Sequence, residues 1–255
     1  MKLLCCRIIC IAVLSGFLSA CVTTTNRVAP RTDAAHDKRI ELGMKYLEVG
    51  KRDNARYQFS QALEMKKNSP RAYHGVALVH QSNGETKHAA EAFKKAMKFA
   101  QENQKPPIYV SYGRFLMQTG ETKEACDYFE KAAGNFDYTA RAEALYLAGQ
   151  CARQTGNSAR VKPALEHALN LSPEFVSPMI ELAEIYYQEG EYAKSKRLLS
   201  RFEKLSKPTS ASLWLGIRIE RVFGNKDKEA SYALALKNLH PYSKEYLEYK
   251  NSPQP

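Results

Sequence analysis

The sequence predicts an all-α solenoid of six stacked helix-turn-helix repeats, on three observations. Gly50, Gly84, Gly120, Gly156, Gly190 and Gly224 follow one another at intervals of 34, 36, 36, 34 and 34 residues, the period of a repeating helical hairpin. Seven residues before the first five stand Gly43, Ala77, Gly113, Gly149 and Ala183, small groups that let two helices approach closely; Ile217 breaks the rule in the sixth unit. Nine residues after the first five come Phe59, Phe93, Phe129, Leu165 and Leu199, and three positions further on the first four units carry Ala62, Ala96, Ala132 and Ala168. That spacing lays a compact apolar stripe along each second helix. One such hairpin buries too little to stand alone, so its neighbours must stack on it, and the resulting array is a docking surface rather than a reaction vessel.

The elements follow in order along the chain. Lys2 and Arg7 flank an apolar run, Ile8 to Leu14, which leads to Leu18-Ser19-Ala20-Cys21; this is the order of a secretory signal, not of a membrane span. Residues 1–20 are expected to be a signal peptide. Leu-Ser-Ala-Cys resembles the bacterial lipobox, which implies lipidation of Cys21 through its sulfur and cleavage that leaves it as the mature amino terminus. Val22, in place of aspartate, implies delivery to the outer membrane. Residues 21–35 contain Thr, Pro and Ala without apolar periodicity and are expected to form a flexible tether, reaching at most about 45–50 Å. The repeats are placed at about 36–69, 70–103, 106–139, 142–175, 176–209 and 210–240, with a capping helix and tail over 241–255. Ser69-Pro70 and Ser177-Pro178 each set a capping hydroxyl before a proline at the first helical position. The two longer intervals contain Lys105-Pro106-Pro107 and Asn135-Phe136-Asp137-Tyr138, which either bend the superhelix or lengthen loops.

Composition and motifs narrow the function classes. The formal net charge is +11, or +9 without Lys2 and Arg7, a balance that suits anionic head groups or an acidic protein face. No nucleic-acid motif accompanies it, so no nucleic-acid partner is expected. The chain has no Gly-x-Ser-x-Gly turn, no phosphate-cradling glycine loop and no His-Glu-x-x-His. No catalytic residue, cofactor or enzymatic activity is therefore expected. His74 and His80 share a helix but point to different faces, so no metal site is expected. His80 stands four before Gly84, where Tyr46, Leu116 and Tyr186 occupy the matching places, and reads as a packing residue. Outside the signal and Cys21 only Cys126 and Cys151 remain, on adjacent stacked elements; they form either a disulfide in an oxidising compartment or a pair of buried thiols.

Helical spacing also locates a groove. Positions ten, six and three before each glycine fall on one face of the first helix. They supply Ile40, Met44 and Leu47, then His74, Leu78 and Gln81, then Val110, Arg114 and Met117. The fourth and fifth repeats add Tyr146, Gln150 and Arg153, then Ile180, Glu184 and Tyr187. The front is apolar and Met-bearing, suited to an amphipathic helix or a short apolar segment, unless the tether or another copy covers it. Tyr146 and Tyr187 belong either to the groove or to the core.

The glycine beat and its packing positions, over roughly 36 to 240, resemble the tetratricopeptide repeat, which implies a right-handed superhelix with its binding groove on the concave side. The last third reads Leu213-Trp214-Leu215-Gly216-Ile217-Arg218-Ile219, Phe223-Gly224-Asn225-Lys226-Asp227, Ala230-Ser231-Tyr232-Ala233-Leu234-Ala235-Leu236-Lys237 and His240-Pro241-Tyr242-Ser243-Lys244-Glu245-Tyr246. With Tyr112-Gly113-Arg114-Phe115-Leu116 in the third repeat, the lipobox and the tether, this resembles the type IV pilus biogenesis and stability lipoproteins of the PilF/PilW family. The resemblance implies a pilotin, an outer-membrane lipoprotein that binds the pilus secretin and promotes its localisation and multimerisation, alongside other pilus assembly proteins. The alternative is a general envelope scaffold for peptidoglycan or outer-membrane assembly machinery.

Overall fold

A computed structural model describes residues 29–252, with side chains from Asp33 onward. The signal segment and Cys21 lie outside the described residues. Thirteen α-helices, one short 3-10 turn and no strand occur among the described residues. Repeat one pairs α1 (Ala29–Glu48) with α2 (Arg52–Met65), and repeat two pairs α3 (Pro70–Ser82) with α4 (Thr86–Phe99). Repeat three pairs α5 (Lys105–Thr119) with α6 (Thr122–Ala133), and repeat four α7 (Arg141–Gln154) with α8 (Ser158–Leu171). Repeats five and six pair α9 (Val176–Gln188) with α10 (Tyr192–Leu205) and α11 (Ser210–Val222) with α12 (Lys226–Leu239); α13 (Lys244–Asn251) follows. None of these helices is long and apolar enough to cross a membrane.

The turn chemistry explains the glycine period. All six glycines take the left-handed conformation, with φ from 68° to 88°, which a side chain would strain. The residue after each glycine then donates its N–H to the carbonyl five positions back, from Lys51 to Tyr46 at 2.8 Å through Asn225 to Glu220 at 2.9 Å. The chain is thereby folded back into an antiparallel second helix.

Packing explains the other two periodic positions. Phe59 of α2 is fully buried and lies against both α1 and α3: a Cβ on Gly43 would stand 2.6 Å from its ring and one on Gly75 only 2.3 Å away. Phe129 meets Gly113 in the same way. In the sixth repeat the close approach moves by one residue, with Gly216 against the Tyr232 ring, which is how Ile217 comes to be fully buried rather than small. Each first helix packs on its own second helix, and each second helix on the next first helix. First helices also touch one another, α1 with α3, α3 with α5 and α9 with α11, so they form the inner layer of the stack. The core is accordingly a chain of apolar clusters running along the array.

Two local expectations are corrected, and one open alternative is decided. Helix α1 begins at Ala29, inside the segment read as a flexible tether. Ala34 and Ala35 favour helix, and the first turns are tied down: Asp33 pairs with Lys66 at 2.7 Å, and buried His36 meets the Ser69 hydroxyl at 2.9 Å. Second, Ser177 is not a cap. Helix α9 starts at Val176 after an extended Phe175, with no side-chain cap bond; Pro178 is accommodated because first-turn N–H groups have no helical partner. Ser69, by contrast, does cap α3, accepting from Ala72 N–H at 3.2 Å. Third, the two longer intervals differ in kind: Glu102–Gln104 forms a 3-10 turn with a reciprocal capping box, whereas the second lengthens the α6–α7 connection, where Arg141 lies 4.4 Å over the exposed Phe136 ring. Cys126 of α6 and Cys151 of α7 are joined by a disulfide, with Cα atoms 5.4 Å apart. At the far end α13 packs on α11 and α12, with Tyr249 edge-on to Trp214 at 6.3 Å.

Candidate functional site: the inner face of the first helices

The ladder of positions expected to line the groove divides in two. Ile40 and Val110 are withdrawn from it. Ile40 is buried beside Ala55, Phe59 and Ala62, and Val110 is buried among Ala132, Ala133, Ala144 and Leu145. Both sit ten before a glycine, where the helix is covered by second-helix side chains and, for Val110, by the following repeat. Met44, Leu47, Leu78 and Met117 are half-buried and rest on the core clusters below them. These four remain as the apolar front.

His74 lies within that front. Its ring is 6.0 Å from Phe93, and its shielded Nε2 has no hydrogen-bond partner. Desolvation pulls its pKa down to about 4, so at neutral pH it joins the front as an uncharged ring. Beyond it Gln81 donates to Gln118 of the third repeat at 2.5 Å.

From the third repeat onward the ladder is cross-linked by charge. Arg114 is exposed and paired with Glu143. Glu181 collects three donors from the fourth repeat: Tyr146 hydroxyl at 2.7 Å, Gln150 at 2.6 Å and Arg153 at 2.9 Å. Burial, with the Glu181 carboxylate accepting the hydroxyl's hydrogen bond, pushes the Tyr146 phenol well above its ordinary pKa. Arg218 forms a two-armed bond to Glu184, one arm at 2.9 Å, and stacks 4.7 Å over Tyr187. Tyr187 also meets Tyr192 edge-on at 5.2 Å, and desolvation raises its pKa. Tyr146 and Tyr187 are therefore half-buried struts of the inner face, each held by an adjacent repeat. These bonds use the helix surface in place of a ligand.

Sequence reasoning missed Glu181, which lies nine rather than ten before its glycine. A signal was available: Tyr146 to Glu181 spans 35 residues, and Glu184 to Arg218 spans 34, so polar partners one repeat apart face each other along the stack. His80, read as a packing residue, is half-buried in the turn corner. It is not simply packed; its Nδ1 is bonded to Glu85 across the turn.

Six helix hairpins with left-handed glycine turns and first helices gathered into an inner ladder define the tetratricopeptide-repeat class, and the tetratricopeptide-repeat family model matches residues 70–103, 106–134 and 142–175. The chain is 31% identical over 237 residues to the type IV pilus assembly protein PilF of Pseudomonas aeruginosa, covering 91% of this chain and 93% of that protein. The solved structure of P. aeruginosa PilF superposes with a TM-score of 0.78 at 32% identity, covering 86% of this chain and 98% of PilF. PilW, a widely conserved type IV pilus biogenesis factor, superposes at 0.65 with 22% identity, covering 84% and 97% of the two chains, a likeness of fold alone. The chain belongs to the PilF/PilW family of tetratricopeptide-repeat proteins of type IV pilus biogenesis.

Proposed function

We propose that this protein is a pilotin: an outer-membrane lipoprotein that holds a segment of the type IV pilus secretin on the front of its inner face and promotes secretin localisation and multimerisation. The observation that carries the groove assignment is the contrast along the ladder. Met44, Leu47, Leu78 and Met117 present half-buried apolar surface, whereas Glu181 is bonded to Tyr146, Gln150 and Arg153, and Glu184 to Arg218. A half-buried apolar strip favours an apolar ligand, and Met side chains adapt their shape to it.

The remaining support comes from the chain ends and from physics. The lipobox-like Leu18-Ser19-Ala20-Cys21 accounts for anchoring, since two or more acyl chains hold a protein stably on a bilayer and one does not. The Cys126–Cys151 disulfide fits an oxidising compartment such as the periplasm. A secretin subunit carries apolar strands with unpaired edges that invite aggregation. Binding it to an anchored scaffold confines it to the correct membrane and raises its effective concentration there.

Affinity capture of the lipidated protein from detergent-solubilised membranes tests this reading. The secretin should be recovered with it, and Cys21→Ala should release the protein to the soluble fraction and leave the secretin unassembled or misplaced. Capture that returns peptidoglycan enzymes or other assembly machinery without secretin would reject the pilotin reading in favour of a general scaffold.

A further inference from the structure

Every hairpin turn of this solenoid gathers three positions at one corner. The bond from the N–H after the glycine to the carbonyl five back, 2.9 Å from Glu85 to His80 in repeat two, sets those two residues side by side. The residue three further on is one turn up the second helix, on the same face as the first. In repeat two the three positions hold His80, Glu85 and His88. In the third repeat they hold Leu116, Glu121 and Glu124, and no repeat other than the second fills all three with metal-ligand side chains.

The side chains converge as well as the backbone. One donor atom from each of the three lies within 4.8 Å of the other two. His80 Nδ1 is in hydrogen-bond contact with the Glu85 carboxylate, His88 Nδ1 is 4.0 Å from the same carboxylate, and the two imidazole rings are 5.3 Å apart. Glu85 occupies the N-cap position of α4 yet makes no side-chain cap bond. Its carboxylate turns to the histidines instead, and its second oxygen accepts from Asn83 Nδ2 at 3.1 Å. That last contact orients the carboxylate in the way that outer hydrogen bonds orient metal ligands.

Two imidazoles and a carboxylate form a donor set for a divalent first-row transition ion, with zinc the usual occupant of a three-ligand site completed by water. Tetrahedral coordination at about 2.0–2.1 Å places donors roughly 3.3 Å apart. The wider donor pairs must therefore close by about 1.5 Å or less, while His80 and the Glu85 carboxylate, now in hydrogen-bond contact, must part slightly to admit the ion. His88 is 68% exposed, so a χ rotation suffices and the backbone stays in place. Its exposure also leaves the fourth position open to water.

We propose that the turn of the second repeat binds one zinc-class divalent ion through His80, Glu85 and His88, clasping α3 to α4. Because the three ligands converge only in the folded hairpin, the ion binds the native chain in preference to the unfolded one and raises its unfolding midpoint.

The test is calorimetric titration of Zn2+ into the purified full-length chain after its free thiols have been alkylated, with His88→Ala and Glu85→Gln as variants. The expected result is one saturable equivalent, weakened at least about 10-fold in each variant, the lower end of what loss of even an outer-shell partner costs. Thermal unfolding followed by circular dichroism should show a zinc-dependent rise that His88→Ala abolishes; since His88 is an exposed side chain, that variant retains its helical content. Absence of a saturable site in the alkylated wild type would overturn the proposal. Equal zinc affinity in wild type, His88→Ala and Glu85→Gln would do so too.

Discussion

Reduction of the Cys126–Cys151 bond should destabilise the protein by an amount that the loop length fixes. The bond closes a separation of 25 residues, and in the chain-entropy model a loop of that size restricts the denatured chain by about 3.5 kcal/mol. For a domain of this length each kcal/mol moves the midpoint by about 2–4 °C, so reduction should lower it by roughly 7–14 °C. The bond is also well placed to matter. It joins the start of α6 to the end of α7 across the repeat-three to repeat-four boundary, so the loop it closes includes the lengthened connection that contains Phe136 at the other end of the helix pair. Urea unfolding followed by circular dichroism, with and without reductant, measures the effect, and a Cys126→Ala/Cys151→Ala variant should be indifferent to reductant. The oxidised protein should also show a smaller m-value, because its denatured state is more compact. Peptide mapping should recover the two cysteines in one linked fragment. A shift below about 1 kcal/mol, or a reductant response that persists in the double variant, would refute the reasoning.

Two other perturbations follow from the structure. Ser69→Ala removes the α3 cap and the 2.9 Å partner of buried His36; it should cost about 2 kcal/mol and speed hydrogen exchange in α1, whereas Ser69→Thr should retain most of the stability. His74 has its pKa lowered to about 4 by desolvation, so between pH 6.5 and 4 the unfolded chain binds the proton that the folded chain refuses. Stability contributed by the neutral ring is present above pH 6.5 and falls as pH drops towards 4, by at most about 3 kcal/mol. His74→Leu should flatten that part of the urea-midpoint profile, and an unchanged profile would contradict the assignment.

The fold was legible because its period is set by backbone necessity. A left-handed turn every 34 to 36 residues calls for glycine, and the Phe59 ring leaves no room for a Cβ at Gly43 or Gly75. Such constraints act on residue identity and so are written in the chain. The sixth repeat shows where this stops: Ile217 looked like a broken rule, yet the structure met the same constraint one residue earlier with Gly216 against Tyr232. The inner face was only half legible. Helical spacing gives the angle at which Ile40 and Val110 leave the helix, but not whether a neighbouring helix stands in that direction, and for both it does. Glu181 was missed for the complementary reason, since its three partners belong to another repeat. The corner of His80, Glu85 and His88 arises from a turn that joins two helices, and a search along one helix face could not bring it together.

The claim that the apolar front captures the secretin is tested most directly by binding of the purified secretin subunit to three forms of the protein. These are the wild type, a Met44→Asp/Leu78→Asp variant and an Arg114→Ala variant. Each apolar side chain desolvated in a complex contributes about 1.5–3 kcal/mol, and 1.4 kcal/mol is a factor of ten in affinity. The charged front should therefore weaken binding by about 100-fold or more at unchanged helical content, while Arg114→Ala stays close to wild type. Undiminished secretin affinity in the folded Met44→Asp/Leu78→Asp variant would contradict the account.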